Sequence, residues 1–198
     1  AEPYLKKEKV QAYVSRLVHR EIKEKTGEKG TEKVRFLSAV TPKGLIFYCE
    51  TVCFYADKIY VLDDETGVAS RSILQELRQE ALQRGYDIIC CYCPLSPEDI
   101  PELSLAFVSS NKAHPWEGES FRNIHATRFM KEGLKERKQR ISFNRRASDE
   151  FIKEAILLQR EAKAIHDELE KFYVEAMDFV KLDQLTDDIT RQIQARIQ

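Results

Sequence analysis

Eight residues at one junction raise the first chemical question. In KIYVLDDETGVASRS an apolar run passes into a helix-like pattern, and Asp64 to Arg71 read D-E-T-G-V-A-S-R. A phosphate-binding unit would carry G-x-x-x-x-G-K-[ST] at that place. In such a loop backbone N–H groups curl around the phosphates, the lysine reaches their outer oxygens and the hydroxyl holds magnesium. Here Asp64 stands at the first glycine, Ala69 at the second, Ser70 at the lysine and Arg71 at the hydroxyl; only Gly67 inside the loop and Ser72 after it look ordinary. Asp63, Asp64 and Glu65 set three carboxylates where a polyphosphate would arrive, and like charge repels it. Acids at a strand-to-helix turn have a plain explanation as caps on the unpaired N–H groups of the helix start. A sharper one has a carboxylate occupying the anion nest itself. The capping explanation is preferred, and both predict weak or absent nucleotide binding.

Magnesium would need a second acid, at the end of a neighbouring apolar run. LSLAFVSSN ends in Ser109 and Ser110, so Ser109 marks the position of a missing magnesium-side acid. No catalytic set replaces these groups, because His19, His114, His125 and His166 accompany no recognisable nucleophile motif. Cys49, Cys53, Cys90, Cys91 and Cys93 lie in or beside apolar segments, and an odd count makes a poor disulfide framework, so reduced core thiols are expected. C-C-x-C on a strand sends its side chains to alternate faces, which disfavours zinc; no metal ligands are assigned.

The elements that must position this junction can be read on either side of it. KIYVL is a short strand, Ile73, Leu74, Leu77, Ala81 and Leu82 form a helix face, Gly85 sits where a helix-ending glycine belongs, and YDIICCY is a second buried strand. Strand, helix and strand in about 35 residues make a βαβ unit feeding a parallel sheet. LSLAFVSS adds another buried strand, and PLSPEDIPE between them holds three prolines and no room for a full helix. Upstream, residues 4–25 carry a helical stripe of Val10, Tyr13, Val14, Leu17, Val18 and Ile22; TGEKGTEK follows as a linker, then VRFLSAV as a strand, while LIFYCETVCFYA is open between helix and strand. From about Ile124 the pattern turns to long helices. Phe151, Ala155, Leu158, Ala162, Ile165, Leu169, Phe172 and Ala176 recur at alternating spacings of four and three, the seam of a coiled-coil hairpin. Ser148 is its expected N-cap, and Lys181–Ile197 repeats the pattern through Leu182, Leu185, Ile189 and Ile193. The division expected is a helix and linker over 1–33, an α/β core over 34–123, and a helical hairpin with C-terminal helix over 124–198.

Composition limits the function classes. Of 198 residues 42% are hydrophobic and 33% charged, with 32 basic against 33 acidic side chains, so overall charge points to no polyanion partner. Arg128 to Arg146 carries eight basic and two acidic residues, but residues 147–198 carry twelve acidic and seven basic, and a basic helix folded on an acidic one would neutralise itself. Nucleic acid is therefore disfavoured as a partner. With no run of 18 apolar residues and no signal-like start, a cytoplasmic chain without membrane contact is expected.

FLSAVTPKG, GYDIICCYCPLSPEDI, IPELSLAFVSSN and AKAIHDELEKFYVEAMDF, spread over about Phe36 to Ile193, resemble segments of a poorly characterised bacterial ATPase family. Its members are built from two tandem P-loop NTPase domains, each with a helical hairpin after the core strands. The resemblance implies that a G-G-P-G-T-G-K-S-T type loop aligns with Asp63 to Ser72, and carry-over of its function fails at Asp64, Ala69, Ser70 and Arg71. PEDIPEL is also shorter than the family's segment between Pro94 and Leu103. The chain thus resembles a second, degenerate repeat preceded by the tail of a first. The fold expected is α/β, a P-loop-like parallel sheet with a long hairpin. The function expected is a non-catalytic structural or regulatory role beside an intact P-loop domain, in cis or in trans, with no cofactor. Two rivals stand beside it: a protein that binds ATP and magnesium through an unusual loop, and an adaptor that captures a protein partner through its hairpin.

Overall fold

The computed structural model describes residues 1–25, 27–91, 98–112 and 114–197. Thr26 of the linker, Cys93, Pro94 and Pro97 lie outside the described residues. The chain forms two compact units, Ala1–Ile156 and Leu157–Gln198.

The first unit is an α/β structure. Its helices are α1 (Lys7–Glu21), α2 (Cys49–Tyr55), α3 (Val68–Gln83) and the start of α4 (Lys138–Ala176); its strands are β1 (Glu32–Arg35), β2 (Ser38–Thr41), β3 (Gly44–Phe47), β4 (Lys58–Asp63), β5 (Ile88–Cys91), β6 (Glu98–Ile100), β7 (Leu105–Ser110) and β8 (Arg122–His125). Six strands make one sheet in the order β1-β5-β6-β7-β4-β8, and β2 with β3 forms a separate antiparallel hairpin. The segment that was open between helix and strand is both, β3 and then α2.

The parallel sheet expected from the βαβ pattern is a mixed one. β1, β5, β7, β4 and β8 run the same way, while β6 pairs antiparallel with β5 and with β7. Chain length explains the reversal. A parallel connection needs a crossover of a dozen or more residues, whereas only 92–97 separate β5 from β6, and a short 3₁₀ turn, Pro101–Leu103, with Ser104 at φ 50° leads into β7. The β4–α3–β5 unit therefore spans two interposed strands.

Both faces of the sheet are covered, which is why β4 and β7 read as unbroken apolar runs. Tyr60 and Leu62 of β4, with Leu105 and Phe107 of β7, join α1 and α3 in the larger core. Ile59, Val61, Ala106 and Val108 point the other way, into a smaller core with Leu37, Val52 of α2 and Trp116. Cys90 and Cys91 divide between the two cores in the same alternation. The α1 stripe read from sequence is buried throughout, Val10 to Ile22.

The expected linker is part of this core's frame. Gly30 donates its N–H to the Leu82 carbonyl at 2.9 Å, and a Cβ there would lie 2.0 Å from the Tyr86 carbonyl oxygen, so only glycine permits the approach. Thr31 donates both N–H and hydroxyl to Asp87 Oδ1 at 2.7 Å, and β1 follows at once. At its far end α1 is tied to β4 through Glu21, whose carboxylate accepts from Tyr60 Oη, Lys58 Nζ and Arg20 Nε, each at 2.6 Å. Burial alone would raise the Glu21 pKa, but these donors more than offset it and bring it down to about 2.

The expected boundary at residue 124 runs through β8. Ile124 is buried beside β4, and the 3₁₀ turn Ala126–Phe129 places Phe129 fully inside the core, 5.3 Å from the Tyr13 ring. Nor does a helix begin at Ser148. α4 starts ten residues earlier, because 138–147 contains neither proline nor glycine to stop it. The basic run also finds other partners than the acidic helix expected to neutralise it. Arg128 stacks over Tyr13 and Phe129, Lys131 donates to the Pro3 carbonyl, Arg137 to Tyr4 Oη, and Arg145 pairs with Glu65.

The second unit holds the rest of α4 and α5 (Phe179–Ile197). Every described residue from Leu157 to Arg196 is exposed, so the seam expected to close a hairpin is unpaired within this chain.

Candidate functional site

The β4–α3 junction sits at the carboxyl ends of the sheet strands, the edge where open α/β sheets take their ligands. Only Asp64, Glu65, Thr66 and Gly67 separate strand from helix. Gly67 is the N-cap at φ 68°, a left-handed conformation that glycine adopts without strain. Val68, Ala69, Ser70 and Arg71 are already helical, so the four-residue turn has less chain than a phosphate-wrapping loop requires.

Asp64 fills this turn. Its backbone is fixed to β7 by an N–H bond to the Ser110 carbonyl at 2.9 Å, and its side chain is buried. Oδ1 accepts from the N–H and hydroxyl of Thr66 at 2.9 and 2.8 Å; Oδ2 accepts from the Ser70 N–H, in the first turn of α3, at 2.9 Å. Thr66 Oγ1 in turn accepts from the Val68 N–H at 3.4 Å. Asp64 thus caps the start of α3, its carboxylate satisfying the Thr66 and Ser70 N–H groups.

The neighbouring acids are held separately. Asp63 Oδ2 lies 3.0 Å from His125 Nδ1, at the end of β8, and Glu65 lies 3.4 Å from Arg145 of α4. Neither partner could be found in the linear pattern, since they stand 62 and 80 residues away. Parallel pairing of β4 with β8 brings the first into place, opposite Asp63 in register.

The remaining sequence-selected positions are distributed around this turn. Ser109 is buried on β7 opposite Leu62 of β4, one residue before the end of that strand. Ala69 and Ser70 are buried in the first turn of α3, whereas Arg71 is exposed and Ser72 half-buried. Above the turn lies an open cleft of about 470 Å³ whose lining includes Thr66, Val68, Asn111, His114, Asn144 and Arg145. His114 is buried, which pushes its pKa down, and its Nε2 lacks a hydrogen-bond partner. Among the described residues the one group able to share a cation is His166, Asp167 and Glu170 on the surface of α4, where Lys163 already holds Asp167 at 2.6 Å. No described helix is long and apolar enough to cross a membrane.

Comparison of the chain with family models, with curated proteins and with solved structures gives no match.

Proposed function

We propose that the chain is a degenerate P-loop NTPase-like domain that does not turn over ATP and serves a structural or regulatory role beside an intact P-loop domain, in the same chain or another. One observation supports this most directly: the Asp64 carboxylate accepts from the N–H groups of Thr66 and Ser70, the kind of donor that a phosphate would need at this turn. The short turn and the absence of an acid at Ser109 point the same way. Partnership with an intact domain follows from the resemblance of the flanking segments to tandem P-loop repeats.

Thermal denaturation with and without millimolar Mg-ATP tests the first half. A ligand at 100 times its Kd adds about 2.7 kcal/mol, which here corresponds to several degrees. The native chain should show no shift; a magnesium-dependent rise would establish instead a nucleotide site with an unusual loop. Asp64→Ala separates filling from mere absence. It should lower stability by about 1 kcal/mol through the lost cap, and any phosphate-dependent rise confined to this variant identifies Asp64 as the group that occupies the nest. The second half is tested by the coding sequence around the chain, which should contain an intact G-x-x-x-x-G-K-[ST] in the same or an adjacent frame.

A further inference from the structure

We infer that the second unit pairs with a second copy of this chain, through a parallel, in-register contact of the α4 segment Leu158–Ala176. The seam is the one already described: Leu158, Ala162, Ile165, Leu169, Phe172 and Ala176, alternating by four and three. On α1 a stripe of comparable spacing is buried against α3, whereas on α4 Leu158 is 56%, Ile165 69%, Leu169 51% and Phe172 71% exposed. A stripe of that size left in water marks an interaction surface.

Charge is compatible with a second copy in one direction only. With Ala162, Leu169 and Ala176 at the a positions and Leu158, Ile165 and Phe172 at d, the g positions are Glu161, Glu168 and Glu175, acidic without exception, and the e positions are Gln159, His166 and Tyr173. In an antiparallel pair that overlaps the whole seam, g faces g, which sets Glu161 against Glu175 and Glu168 against its own copy. Three like-charge contacts result. In a parallel pair g faces the e position five residues on, so Glu161 meets His166 and Glu168 meets Tyr173, and no acid meets an acid. A second copy in parallel register therefore covers the full stripe without repulsion. This inference is independent of the nucleotide site.

Light scattering behind size exclusion, run on the full chain at tens of micromolar, should give a two-chain mass. Ile165→Asp with Leu169→Asp should return it to one chain; both positions are exposed, so the first unit's melting temperature serves as the folding control. Ala162→Cys, at the axis of the pair, should form an intermolecular disulfide under mild oxidation, and Lys163→Cys, off the seam, should form several-fold less. A single-chain mass for the native protein at every concentration overturns the proposal. So does a two-chain mass that survives the Asp pair, or equal cross-linking at positions 162 and 163.

Discussion

Glu21 and Tyr60 give the molecule two pH limits. Donors on Glu21 hold its pKa near 2 despite burial, below the ordinary 4.5. Stability from this group is therefore complete above about pH 4.5 and is lost as pH falls towards 2. A displacement of that size is worth on the order of 3 kcal/mol. Tyr60, raised to about 12 by burial and then by its bond to Glu21, contributes in the opposite sense: its share is complete below pH 10 and is lost as pH rises towards 12. Glu21→Gln should flatten the acid limb. Urea denaturation at pH 7, 4.5 and 3 reads this directly, and parallel native and variant curves would show that Glu21 is not the acid-sensitive group. Asp64, in the same fold, illustrates how far single residues were legible. Its acidity at a strand-to-helix turn was plain, but which N–H groups it would engage was not, because they lie two and six residues further on and only the turn's geometry brings them together.

Elements with a long apolar period were readable, and short ones were not. The stripes of α1 and α3 and the runs of β4, β5 and β7 bury large side chains at regular intervals, so pattern and fold coincide. β6 and β8 have three and four residues, mostly polar, and owe their strand form to neighbours that supply hydrogen-bond partners. The turn Ala126–Phe129 is a similar case with a large energetic share. Phe129 is fully buried against Tyr13, yet no periodicity announces it. Phe129→Ala should cost about 3–5 kcal/mol, or roughly 10 °C in melting temperature for a unit of this size. A shift under about 2 °C in a thermal scan would mean that the turn does not secure α1 to the sheet.

The whole molecule divides elsewhere than its sequence character does. Helical pattern begins near Ile124, but burial continues to Met130, and the compact units part after Ile156. A chain ending at Ile156 should keep the melting temperature of the first unit within about 2 °C, since the first unit is compact by itself and residues 157–196 are exposed. Ending the chain at Asn123 should unfold it, through loss of Ile124, Ala126 and Phe129. Circular dichroism on the two truncations distinguishes these outcomes, and a folded 1–123 fragment would restore the boundary that the sequence suggested.

β6 has a mechanical consequence. β1 with β5 on one side, and β7, β4 and β8 on the other, share no strand pairing; the hydrogen-bonded ladder between these halves runs through the three residues Glu98–Ile100. The β5–β6 pairing covers only two residue positions, while β4 and β7 pair over six. Along the sheet itself, tension across the strands falls on this narrowest ladder, and what holds the two halves together beyond it is the packing of α1 and α3 over both.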